Sequence, residues 1–278
     1  MVKNLLKSSV YFIVYFVLQF VAMIGMLVYE IASGAVTLTN LEDPTLMAEE
    51  LTEVLYKVSV PSLIICSIMF FAIFILYKLI RKHPFDFKKI EIHKLLFFAC
   101  VGVLLNIVVT LIVNGIGMIL PQELVDALNT STDAALTGQS FALILIGTGI
   151  LVPILEELVF RYGICGTMAR KNAIAALIVS SLVFGIVHGN VIQAAYATVL
   201  GLIFGFVYLK TKNIWYPAIM HMAVNSSTVI VSYVEQPWLY AVFAAVAIVG
   251  IIVFIHKYPE LKNLFKKGAS LENNRDNL

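Results

Sequence analysis

Eight times along this sequence, apolar side chains run on for long enough to cross a hydrocarbon layer, and that recurrence restricts the solvent the chain can fold in. The runs cover roughly 8–29, 59–80, 94–119, 140–160, 173–190, 191–209, 214–233 and 238–256. A bilayer core about 30 Å thick needs on the order of 20 helical residues. Backbone groups in lipid must be satisfied within the segment, which selects helices for such runs. Hydrophobic residues make up 60% of the 278 and charged residues 13%. Soluble domains average about 45–50% and 25%, so a soluble fold would lack half its charged surface. The expected fold is all-α, a polytopic membrane protein with about eight transmembrane helices. Its expected partners are the bilayer and a membrane-associated peptide or protein. A net charge of +2 gives no reason to propose nucleic acid.

Charge placement orients the chain. Lys3 and Lys7 precede the first run, which at Val10 to Val28 is about twice a signal-peptide core and is expected to stay as a span. Basic residues recur in alternate connections: Lys78 to Lys94, then Arg161, Arg170 and Lys171, then Lys210 and Lys212, then Lys257 to Lys267. The intervening connections are acidic, with Glu30, Glu42, Asp43, Glu49, Glu50 and Glu53 in the first and Glu123, Asp126 and Asp133 in the second. The positive-inside rule then puts both termini in the cytoplasm, with 30–57 as an outer loop. A bacterial plasma membrane is the expected location. Trp215 and Tyr216, and Trp238 and Tyr240, open the last two runs at headgroup depth. The polar tail 257–278 is expected to fray. Cys66, Cys100 and Cys165 have no CxxC spacing and read as small apolar residues. The expected organisation is an N-terminal helical part at 1–139, a core at 140–235, and a last helix with tail at 236–278.

Polar residues inside the runs separate the halves. Gln19, Asn106 and Asn114 in the first three suit helix–helix hydrogen bonding. Run four ends with Pro153, Ile154, Leu155, Glu156, Glu157, Leu158, Val159, Phe160 and Arg161. Glu157 and Arg161 lie four apart on one helical face and can pair; Glu156 points about 100° away with no local partner. The bland reading places both carboxylates at the interface, solvated. Run five ends in His188, and run seven carries His221 and Asn225 on one face, with Ser226 and Ser227 beyond. Ionisable groups in lipid are expensive and are functional candidates by default. A carboxylate, two imidazoles and an amide suit hydrolysis: a base for water, an imidazole to share its proton, donors for an oxyanion. Alternatively Glu156, His188 and His221 could bind a divalent metal such as zinc, assembled from separate helices because HExxH is absent. The four are expected to converge on one cavity open to the cytoplasm. One tension stands: His188 lies about 24 Å along its helix from Asn172, and His221 only about 13 Å from Lys212. Run five must start outside the hydrocarbon, or the Gly189-Asn190 turn must be sunk in the protein.

Glu156-Glu157-x-x-x-Arg161, Phe184-x-x-x-His188 and His221-x-x-x-Asn225, in that order, resemble the three-motif signature of the CPBP family. These are the CAAX prenyl endopeptidases and bacteriocin-processing or immunity proteins, also called Abi proteins. The resemblance covers roughly 140–230. It implies an intramembrane endopeptidase, of metalloprotease type in one account, acting on a membrane-associated substrate, prenylated or bacteriocin-like. It further implies Glu156 as the base with His188 as its partner, and His221 with Asn225 at the oxyanion or holding a metal. Glu157 and Arg161 would be a structural ion pair. The competing readings are a catalytically silent scaffold or immunity protein of the same family, and a small-solute transporter.

Overall fold

The structure, a computed structural model, describes residues 2–34, 43–82, 89–136 and 138–265. Among the described residues it is all helical. The helices are α1 (Val2–Ala32), α2 (Pro44–Ile80), α3 (Ile92–Gly117), α4 (Gln122–Leu136), α5 (Phe141–Ala169), α6 (Ala173–Ile186), α7 (Val191–Thr211), α8 (Trp215–Val234) and α9 (Trp238–Lys257). A short 3-10 stretch, Pro259–Phe265, follows. Six of them, α1, α2, α3, α5, α7 and α9, are long and apolar enough to cross a membrane. The chain is an all-α polytopic membrane protein.

Each of the eight apolar runs is a helix, but the boundaries differ from expectation in four places. The described part of the acidic 30–57 connection is not a loop from Pro44 onward; it is the first third of α2. Asp43 starts that helix by accepting from the Thr45 and Leu46 N–H groups, and Pro44 follows it where a missing N–H is harmless. The connection before run four holds an unforeseen helix, α4, which is too polar to have appeared as an apolar run. Run four continues past residue 160 to Ala169, so the glutamate pair lies mid-helix. Run five stops at Ile186, because Gly189 adopts φ +73° in the turn and Asn190 caps α7 through its side chain. Of the polar tail expected to fray, 257–265 is ordered, with the 3-10 stretch Pro259–Phe265, and the residues after 265 lie outside the described ones, as do Glu42 and Lys88.

Helix α5 is not uniform. Two π stretches, Leu145–Leu151 and Leu158–Cys165, flank six α-helical residues, Val152–Glu157. Such wide turns leave backbone carbonyls available to neighbours and gather at functional sites.

Lipid supplies no hydrophobic drive between helices, so close packing must hold them together. One buried cluster joins Tyr15 of α1 and Phe70 and Phe74 of α2 to Leu155 and Phe160 of α5 and Phe184 of α6. Another joins Phe97 and Phe98 of α3, Phe204 of α7, Met220 and Val224 of α8, and Leu261. Helices α6 and α7 form a hairpin whose backbones meet at small residues. A Cβ on Gly185 would strike the Thr198 hydroxyl and the Ala194 carbonyl, and one on Gly205 would lie 2.6 Å from Leu177. The cysteines are free, with Cys66 and Cys165 buried.

Candidate active site

The glutamate pair is not at a wet interface. Glu157 and Arg161 are 0% exposed, His221 4% and Glu156 7%. The four form one chain of charges. Arg161 Nε lies 3.1 Å from Glu157 Oε2, close enough to pair but not aligned as a hydrogen bond. The other oxygen, Glu157 Oε1, is 3.1 Å from His221 Nδ1. His221 Nε2 then faces Glu156 Oε2 at 3.7 Å, which is too long for a direct hydrogen bond. A carboxylate beside Nδ1 favours the proton on that nitrogen, so the Nε2 lone pair is left facing Glu156. Glu157 therefore contacts both Arg161 and His221, where the sequence suggested an ion pair with Arg161 alone.

Aromatic rings hold the chain in place. The Arg161 guanidinium lies over Phe184, 4.8 Å from the ring centre. His221 stacks on Phe204 at 5.0 Å and meets Phe184 edge-on at 5.5 Å. His188 contacts Phe184 at 5.0 Å, and its Nδ1 lies 2.7 Å from the Phe184 carbonyl oxygen. Phe184 thus touches both imidazoles, that of His188 just beyond the end of α6 and that of His221 on α8. No hydrogen bond or ion pair joins His188 to Glu156; the imidazole facing Glu156 is that of His221.

Asn225 reaches α5 instead of the glutamates. Its Nδ2 donates to the Thr148 carbonyl at 3.0 Å, and Ser226 Oγ donates to the Gly149 carbonyl at 3.1 Å. Both carbonyls belong to the first π stretch, whose wide turn presents them to α8. An apolar cavity of about 320 Å³ sits between α2, α5 and the start of α8, lined by Phe74, Ile154, Leu158, Trp215 and Ala218 among others. None of Glu156, His188, His221 or Asn225 lines it. Sequence reasoning named Phe184 only as part of the signature and did not name Phe204. A Phe at i−4 from a histidine was visible, but nothing in sequence signals that ring's contact with a residue on another helix.

A catalytic zinc takes three protein ligands. Among the described residues no three His, Cys, Asp or Glu side chains come together as such a set. Glu156 and His221 supply two candidate groups, and a carboxylate at His221 Nδ1 leaves Nε2 as the nitrogen that would face a metal. The expected Glu156, His188 and His221 set is not brought together as three ligands.

Residues 138–227 match the family described as Type II CAAX prenyl endopeptidase Rce1-like. All seven residues of the three-motif signature fall inside that match. This part of the chain is similar to that family. Aligned stretches are 38% identical to three proteins. Over 105 residues the match is to "Putative membrane peptidase YdiL" of Bacillus subtilis, covering 35% of this chain and 43% of the relative. Over 78 residues it is to "UPF0177 protein YxdF" of Lactococcus lactis, covering 28% and 43%. Over 88 residues it is to "Membrane-embedded CAAX protease MroQ" of Staphylococcus aureus, covering 29% and 36%. The chain thus spans less than half the length of each of these relatives. No solved structure matches the chain.

Proposed function

We propose that the chain is an intramembrane endopeptidase that hydrolyses a peptide bond of a membrane-associated substrate with water activated by Glu156. The observation that carries this reading is the buried chain Arg161, Glu157, His221, Glu156, built inside the Rce1-like segment. Arg161 pairs with Glu157, and Glu157 in turn accepts the His221 Nδ1–H. The Nε2 lone pair that results, together with the Glu156 carboxylate, gives two acceptors for the protons of one water. As that water's oxygen attacks the scissile carbonyl, Glu156 takes one proton, and it later returns a proton to the leaving amine. The amide of Asn225 carries a second N–H beyond the one spent on Thr148, and this is the donor assigned to the oxyanion. His188 is held at Nδ1 by the Phe184 carbonyl, which leaves Nε2 for the substrate.

The same reading places both termini in the cytoplasm, because the basic ends of α5 and α7 and the Trp215 belt lie on one side. The substrate's chemistry is left to experiment. Purified protein in bilayers should cleave membrane peptides with and without a chelator. Cleavage that persists in the chelator and disappears in Glu156→Gln supports the mechanism. Cleavage lost to the chelator and restored by zinc would replace the water-only mechanism with a metal-assisted one.

A further inference from the structure

The site helix α8 is gripped from behind by α3, a helix that lies outside the Rce1-like segment. Asn106 of α3 is buried at 4% exposure, and both ends of its amide are engaged by α8. Its Nδ2 donates to Ser227 Oγ at 2.9 Å, and its Oδ1 accepts from Thr228 Oγ1 at 2.9 Å. One turn earlier, Gly102 lets the two backbones meet. A Cβ there would fall on the Met220 carbonyl oxygen and 2.9 Å from Ala223 Cβ. Met220, Ala223 and Ser227 recur at helical spacing and form the α3-facing stripe of α8. His221 and Asn225 stand about 100° and 140° round from Met220, toward the face of α8 opposite that stripe.

We propose that Asn106, with Gly102, is a positioning device that fixes the rotation and depth of α8 and so aims His221 and Asn225. The proposal rests on the endopeptidase reading for its kinetic consequence. One amide anchored at both ends resists rotation of α8 as well as its sliding, and the contact at Gly102 removes any slack. A turn of α8 by about 20° would carry a side-chain tip roughly 6 Å from the axis through about 2 Å. Productive geometry tolerates on the order of 0.5 Å and 10–20°, and a misplacement of about 1 Å can reduce a rate by roughly 10²-fold. His221 has contacts on two sides, Glu157 and Glu156, and such a rotation would loosen both.

The test uses the full chain in bilayers, with Asn106→Leu and the milder Thr228→Val, which removes one of the two hydrogen bonds at nearly constant shape. Per folded molecule, Asn106→Leu should lower kcat on the order of 10- to 100-fold with KM changed less than about 2-fold, and it should displace the kcat–pH profile. Thr228→Val should move both in the same direction by less. A second readout needs no activity: residue-resolved acylation by diethyl pyrocarbonate should speed up at His221 and not at His188, which is carried by α6. A purely structural role predicts fewer folded molecules with unchanged kcat, pH profile and His221 reactivity, and that result would overturn the proposal. If the parent protein cleaves no membrane peptide, the endopeptidase reading fails by itself. His221 acylation then decides the positioning claim: faster in Asn106→Leu supports it, unchanged sinks it.

Discussion

Replacing Glu157 by Gln removes one charge while keeping an oxygen that can still accept from His221 Nδ1. Arg161 would then hold a buried positive charge with no anion beside it. Both side chains of the pair are fully buried. Arg161 Nη1 and Nη2 have no hydrogen-bond partner among the described residues, so the Glu157 carboxylate is the principal compensation for this charge. Breaking one side of such a pair typically destabilises by about 3–5 kcal/mol. The cation–π contact with Phe184 is present in both proteins and leaves this difference unchanged. A loss of roughly 3 kcal/mol is expected, about a 150-fold change in the folding equilibrium. Reversible unfolding in mixed micelles would measure it. Glu156→Gln in the same assay should lose less than about 1 kcal/mol, because Glu156 leaves no cation stranded. The double change Glu157→Leu with Arg161→Leu should recover most of the loss, since it removes both charges. A Glu157→Gln loss below about 1 kcal/mol, or one no larger than that of Glu156→Gln, would refute the reasoning.

Phe184→Leu should weaken the protein by about 1–2 kcal/mol, through the lost cation–π contact and ring packing, and should also reduce cleavage, because both imidazoles lean on that ring. Unfolding and peptide turnover measure the two effects. Cysteines placed at Glu50 and Lys171 should be labelled from opposite sides of the membrane; labelling from one side would overturn the proposed topology. At the start of α3, outside the membrane span, a hydrogen bond from Lys94 holds the Glu91 carboxyl below the usual carboxylate range. A lowered folded value means a contribution to stability that is present above the unfolded value and lost as pH falls through the folded one. NMR titration should show Glu91 returning toward its ordinary value in Lys94→Met, with a small effect because the pair is exposed and screened by salt.

The sequence displayed most of the architecture because lipid imposes a strict length on apolar runs, and all eight appear as helices. It failed where that constraint does not apply. The 44–57 segment is charged on one face, so it looked like a loop although Asp43 and Pro44 start a helix there. In α5 the apolar run breaks at the glutamates, which suggested an end; in fact the helix passes through, and Glu157 is carried at depth by Arg161. The candidate site residues stood out in the sequence because each is costly to bury. Their pairing was not. Which imidazole faces Glu156 depends on how far α6 and α8 reach into the bundle, and on Phe184 standing against both. The π stretches that free the Thr148 and Gly149 carbonyls have no sequence signature, so the docking of Asn225 and Ser226 could not be foreseen. Asn106 read correctly as helix–helix glue, but its two partners on the site helix emerged only from the packing.

The account separates two adjacent carboxylates: Glu156 performs the chemistry, and Glu157 holds the histidine that assists it. The most direct test is the turnover of a cleavable membrane peptide by Glu156→Gln, measured at matched folded fraction against the parent protein. The account predicts unfolding behaviour close to the parent's and a loss of cleavage of at least about 10³-fold, within the roughly 10²–10⁴-fold that a positioned base contributes. Cleavage within a few-fold of the parent would contradict it.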